Sequence, residues 1–133
     1  MTYSIIQELS LKGNSFFDEG KYEKARLMFE EALTYVPEPK TNWKASSWLY
    51  AGIGDCFFYL NDFEKSKNSF FDAANCPEGI TNPFVLLRLG QCCFETGDKE
   101  KAIDYLLRAY MLDGKKIFDN EDEKYVNLVK KLF

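Results

Sequence analysis

The chain has 133 residues, is 46 % hydrophobic and 17 % aromatic, and sets 17 basic against 21 acidic side chains for a net charge of −4. That length supplies one hydrophobic core and predicts a single domain over 1–133. Basic residues interspersed among an acidic excess argue against direct nucleic-acid binding, the absence of histidine excludes Ser-His and Cys-His nucleophiles, and no apolar run reaches the roughly 18 residues of a membrane span.

The N-terminal Met1-Thr2-Tyr3-Ser4 lacks a basic segment followed by an apolar stretch, so neither export nor membrane anchoring is expected, and the expected location is the cytoplasm. A first helical hairpin is predicted over about 6–39, on Gly13-Asn14-Ser15-Phe16-Phe17-Asp18-Glu19-Gly20-Lys21-Tyr22-Glu23-Lys24-Ala25 with Phe29, Ala32 and Pro37 beyond it. A small residue at Gly13 lets two antiparallel helices approach, with an aromatic three positions later to fill the gap. Gly20 ends the first helix in the left-handed conformation, and Ala25 and Ala32 keep the second helix close.

A second hairpin, over about 47–80, repeats the pattern with Gly54, Phe57, Asn61, Phe63, Ser66, Phe70 and Ala73. The insertion Glu38–Ser46 precedes it; Pro39 stops the preceding helix, Asn42 or Thr41 caps the next, and the first helix of this hairpin is expected from about Trp43 to Leu60. The third, over about 83–116, carries Gly90, Cys93, Gly97, Lys99, Ala102, Leu106 and Ala109, with Asn82 capping and Pro83 at the first helical position. Lys99 and Leu106 replace aromatics there, which predicts a differently packed hairpin. A capping helix follows over about 120–133: Asp119 or Asn120 caps it, Lys130 and Lys131 close its last turn, and Tyr125, Leu128, Val129 and Leu132 share one face, while Ile117 and Phe118 dock on the third hairpin.

Three copies of one pattern, none able to bury its apolar face alone, predict an all-α solenoid. Over 6–116 the pattern resembles the tetratricopeptide repeat, whose period is about 34 residues. That resemblance implies three helical hairpins whose first helices line a concave partner-binding surface. On this surface fall Asn14, Phe17 and Asp18 from the first repeat, Trp48, Asp55, Phe58 and Tyr59 from the second, and Arg88, Gln91, Phe94 and Glu95 from the third, beside Gln7, Ser10, Ala51, Phe84 and Leu87. Phe17, Phe58 and Phe94 are equivalent by position and either pack against the next hairpin or stand in the groove. Exposed, they form an aromatic groove rimmed by carboxylates, suited to apolar anchors surrounded by Lys or Arg.

Some relatives grip a chaperone's C-terminal carboxylates with a clamp of Lys, Asn, Asn, Lys and Arg. The clamp positions here read Ser10, Asn14, Gly52, Phe84 and Arg88, so both lysines are missing and no carboxylate clamp is expected.

Further strings, Pro37–Ser46, Trp48–Phe57, Asn82-Pro83-Phe84 with Arg88–Cys92, and Ala109–Gly114 followed by Ile117-Phe118 and Lys124-Tyr125, resemble small stand-alone bacterial tetratricopeptide proteins of the toxin-immunity type. That resemblance implies a non-enzymatic protein that binds and neutralises a cognate toxin, the partner being a basic toxin domain. The competing reading is a general adaptor or assembly chaperone for peptide segments, and a third is a hydrolase using Asp18, Asp55 and Glu95. No cofactor or metal is expected, since Cys56, Cys76, Cys92 and Cys93 lack Cys-x-x-Cys spacing and read as buried thiols. A monomer is expected over a homodimer, with Trp43, Trp48 and Phe133 as the patch through which a second copy would pair.

Overall fold

The computed structural model describes residues 2–133; Met1, the first residue of the N-terminal string, lies outside them. Seven α-helices, α1 (Thr2–Asp18), α2 (Tyr22–Thr34), α3 (Lys44–Tyr59), α4 (Phe63–Ala74), α5 (Pro83–Glu95), α6 (Lys99–Asp113) and α7 (Glu123–Val129), follow one another with no strand among the described residues. The helices pair as hairpins α1α2, α3α4 and α5α6, and each hairpin packs on the next through α2 against α3 and α4 against α5. The architecture is an all-α solenoid of three helical hairpins ending in a short seventh helix.

Each hairpin closes on a knob from its second helix. A Cβ built on Gly13 would lie 2.6 Å from Phe29, one on Gly54 2.7 Å from Phe70, and one on Gly90 2.6 Å from Leu106. The filler is therefore the residue sixteen positions on, not the aromatic three positions on as expected from the sequence. Phe16 and Phe57 are half-buried. Their backbones instead finish the first helix: the carbonyls of Phe16, Phe57 and Cys93 accept from the N–H groups of Lys21, Asp62 and Asp98 at 2.8–2.9 Å. The residue before each donor is left-handed, with φ of 76° at Gly20, 62° at Asn61 and 92° at Gly97. Leu106 enters the Gly90 notch as the phenylalanines enter theirs, so the third hairpin uses the same device with an aliphatic knob.

The helix starts are set locally. Asp62 and Asp98 accept from the N–H groups of Lys65 and Lys101 to cap α4 and α6, and Asn82 accepts from Phe84 N–H at 2.9 Å with Pro83 opening α5. Neither Thr41 nor Asn42 caps α3. Both sit in a 3-10 turn, Lys40–Asn42, and α3 begins after Trp43 without a side-chain cap.

Ser66, where the other repeats place alanine, is fully buried and donates to the Gly54 carbonyl at 2.7 Å. The core runs on through the hairpins and ends in a cluster of Leu86, Leu87, Leu106, Ala109, Phe118, Tyr125 and Val129, which joins the third hairpin to the tail. Phe118 docks there as expected. The seventh helix, however, is half the expected length, because Asp122 rather than Asp119 or Asn120 caps it, and Lys130 and Lys131 lie in a 3-10 turn beyond it. Asn120 is left-handed at φ 66°, and Glu121 turns inward instead of beginning a helix.

Candidate partner groove

Of the side chains read as groove residues, Leu87 is instead buried in the terminal core, and Ala51 and Phe84 pack against the central one; the others stand along α1, α3 and α5 in two unlike halves. The N-terminal half is open. Trp48 is 58 % exposed and separates two apolar clefts of about 420 and 290 Å³ that share Tyr3, Ile6 and Ala45. Gln7, Ser10 and Leu11 complete one cleft, and Val36, Pro37, Trp43 and Lys44 the other. Asn14 and Asp18 are exposed farther along α1.

Midway, the aromatic side chains pack on one another. Phe17 meets Tyr22 edge-on at 5.1 Å and Tyr59 at 5.5 Å, and Tyr22 stacks on Tyr59 at 5.2 Å. Phe58 packs on Tyr59 and Phe63, and Phe94 packs on Tyr125 at 5.9 Å. The three equivalent phenylalanines are half-buried, each in contact with the next element along the solenoid.

The C-terminal half is filled by the chain itself. Arg88, only 3 % exposed, donates from Nε to Asp55 at 2.8 Å, from Nη1 to Gln91 and Glu121 at 2.8 Å each, and from Nη2 to the Tyr59 hydroxyl at 3.3 Å. Its guanidinium lies 4.3 Å from the Phe58 ring centre and 4.8 Å from that of Phe84, a sandwich suited to a planar cation. Gln91, fully buried, donates its amide to the same Glu121 oxygen at 2.7 Å. One turn on, Glu95 accepts from the Tyr125 hydroxyl at 2.7 Å and pairs with Lys124 at 2.8 Å.

One cation thus serves two carboxylates. Burial pushes the Asp55 carboxyl up from its ordinary range, the Arg88 charge draws it back only in part, and Glu121 adds to the rise. Arg88, facing both carboxylates, is held above its ordinary value despite its own burial. Tyr125 is likewise pushed up, by burial first and then by its bond to Glu95.

Of the residues read from the sequence, Asn14, Asp18, Trp48 and Tyr59 stand on the surface. Asp55, Arg88 and Gln91 are brought together, but their polar atoms face one another and Glu121 of the tail, and Glu95 pairs separately with Lys124 and Tyr125. Sequence reading missed Glu121, Lys124 and Tyr125 as groove residues, and also Tyr3, Ile6 and Ala45 around Trp48. The tail lies outside the repeat, so periodicity carries no information on where its side chains go; the only local hint was Asn120 before Glu121, a residue that tolerates left-handed backbone.

Among the described residues no three His, Cys, Asp or Glu side chains are arranged to hold a metal ion, and no helix is long and apolar enough to cross a membrane. All four cysteines are buried free thiols. Burial pushes Cys56 up to about 12 and Cys92 up to about 11, which keeps both in the unreactive thiol form.

Stacked hairpins closed by glycine notches define a helical-repeat scaffold. Residues 9–38 and 83–116 match family models of the tetratricopeptide repeat, so the first and third hairpins are tetratricopeptide repeats, and the second has their geometry. No curated protein matches the chain in sequence. Among solved structures, the first tetratricopeptide domain of Spaghetti (RPAP3) bound to the HSP90 peptide SRMEEVD is similar, with TM-score 0.76 and 19 % identity over 97 % of this chain and 90 % of that one. The second such domain of human RPAP3, in complex with the HSP70 peptide SGPTIEEVD, has TM-score 0.76 at 17 % identity over 99 % and 98 % of the two chains. The type III secretion chaperone SycD of Yersinia enterocolitica, in complex with a peptide of the translocator YopD, has TM-score 0.74 at 18 % identity over 95 % and 90 %.

Proposed function

We propose that this chain is a non-enzymatic protein-interaction module that engages its partner through the open, N-terminal half of the groove, around Trp48. The supporting observation is the contrast between the two halves: two adjoining apolar clefts stand open beside Trp48, while the polar side chains farther along are satisfied internally. An exposed Trp beside concave apolar clefts has the character of an interface anchor. The solved neighbours bind peptide segments of their partners, which supports the same use of this fold.

In this reading the module works as a bacterial cytoplasmic monomer, and the partner is a basic toxin domain that it neutralises. Its net charge of −4 favours capture of a basic protein. Asp18 is the groove carboxylate best placed to act in that capture, because Asp55 and Glu95 are committed to Arg88, Lys124 and Tyr125. The size of the clefts also favours a second reading, an adaptor or assembly chaperone that seats apolar side chains of extended segments.

Affinity capture from the native cytosol with wild type, Trp48→Glu and Asp18→Lys separates them. The immunity reading expects one stoichiometric basic partner, retained at moderate salt by wild type and lost by both variants. Several salt-sensitive partners lost only with Trp48→Glu establish the adaptor. Capture indifferent to Trp48 overturns the groove reading altogether.

A further inference from the structure

The two clefts beside Trp48 have a chemistry that selects their occupant. Tyr3, Trp43 and Trp48, all exposed, line the larger cleft with Pro37, and the ammonium of Lys44 at its rim is already paired with Glu78 at 2.9 Å. The hydroxyl of Tyr3 and the indole N–H groups of Trp43 and Trp48 make no hydrogen bond to a described residue, so three donors stand unspent around an apolar, aromatic surface. No carboxylate lines either cleft, and only Gln7 and Ser10, at the smaller one, add further side-chain oxygens. Such a lining suits an apolar ligand that brings hydrogen-bond acceptors and no donors. It offers no strand edge either, because α1 and α3 bond their backbone groups internally and an extended ligand gains no ladder from them.

Resting on the groove reading, we propose that the clefts bind a proline-rich segment of the partner in the polyproline II conformation, with two of its prolines seated on either side of the Trp48 indole. Proline has an apolar ring, a carbonyl that accepts and no N–H, which is the complement of this lining. A polyproline II strand makes no internal hydrogen bonds, so its carbonyls are free for the indole and phenol donors, and it is ordered before it binds. Aromatic-lined grooves take such segments by that route. The spacing agrees: an indole with one carbon contact on each face spans about 7–8 Å, and prolines three positions apart lie on the same edge of the strand about 9 Å from one another. An amphipathic helix, about 10–12 Å across, needs one continuous trough, which the Trp48 ridge between the clefts interrupts.

The chain has two tryptophans and both line the larger cleft, so its two indole N–H resonances report on this site alone. Acetylated and amidated decaproline is titrated into the full chain, beside an amphipathic helical peptide of the same length with leucine anchors. The expected result is saturable binding of decaproline that moves both indole resonances, with the helical peptide at least about tenfold weaker. Trp48→Phe, which keeps a ring and removes the donor, is expected to weaken decaproline binding about fivefold, and Trp48→Ala to abolish it. Absence of saturation, unmoved indole resonances, a helical peptide that binds as tightly, or an affinity unchanged in Trp48→Phe overturns the proposal. A partner captured by wild type and lost with Trp48→Glu, from a protein that ignores decaproline, removes the proline inference alone, whereas capture indifferent to Trp48 removes the groove reading itself.

Discussion

Replacing Arg88 by Met retains most of the side chain's length and removes its charge. In the folded protein this strips four hydrogen bonds, two of which are ion pairs, and it leaves Asp55 and Glu121, each less than a fifth exposed, facing one another without a cation. Breaking a buried pair by removing one partner costs about 3–5 kcal/mol. An unfolding entropy of about 2.1 cal/mol/K per residue gives about 0.28 kcal/mol/K for a chain of this length, so Tm is expected to fall by roughly 11–18 °C. Thermal unfolding followed by circular dichroism at neutral pH reads this directly. The triple variant Arg88→Met, Asp55→Asn, Glu121→Gln removes the orphaned charges and is expected to regain at least half of the loss. A fall of less than about 3 °C in the single variant, or a triple variant no more stable than the single, refutes the view that charge pairing holds this half of the groove.

Asp55 also predicts a pH dependence. Its carboxyl is raised in the folded state, so the folded protein holds that proton more tightly than the unfolded chain; the resulting stability is complete below the ordinary carboxylate range and is lost as pH rises through the raised value. The stability of wild type relative to Asp55→Asn is therefore expected to grow as pH is lowered from about 7 to about 4, and thermal melts of the pair along that series check the sign. Cys56, Cys92 and Cys93 are expected to react with a chromogenic disulfide reagent at least about a hundredfold more slowly in the native protein than in denaturant, since each is buried and its thiolate suppressed. Gly97→Ala is expected to cost about 1–2 kcal/mol through backbone strain alone. At φ 92°, with nothing within 4 Å of the new methyl group, this position has no packing loss to confuse the measurement. Asn61→Gly, at φ 62°, is expected to shift stability the other way by a smaller amount, and paired denaturant titrations compare the two.

The hairpins were legible in the chain because their determinants are local and repeat. Gly20, Asn61 and Gly97 mark the left-handed residue that turns the first helix of each hairpin into the second, and Asn82 with Pro83 sets the start of α5 within two residues. The glycine notches were legible as close approaches, but their filler was not. Phe29, Phe70 and Leu106 reach across from the second helix, a contact that follows from how two helices cross and not from spacing along one of them.

The tail shows where local reading ended. Its composition fits a helix from Asp119 onward, yet the buried charge of Arg88 draws in Glu121, the chain turns left-handed at Asn120, and the helix starts only after Asp122. The sequence by itself determined an all-α solenoid, its hairpin turns and the helices that form its inner face, because each depends on the intrinsic preferences of residues close together in the chain. Only the tertiary structure decided which half of that face is open, because a buried guanidinium takes its carboxylates from whatever the fold brings within reach, and Asp55 and Glu121 each lie thirty-three positions from Arg88.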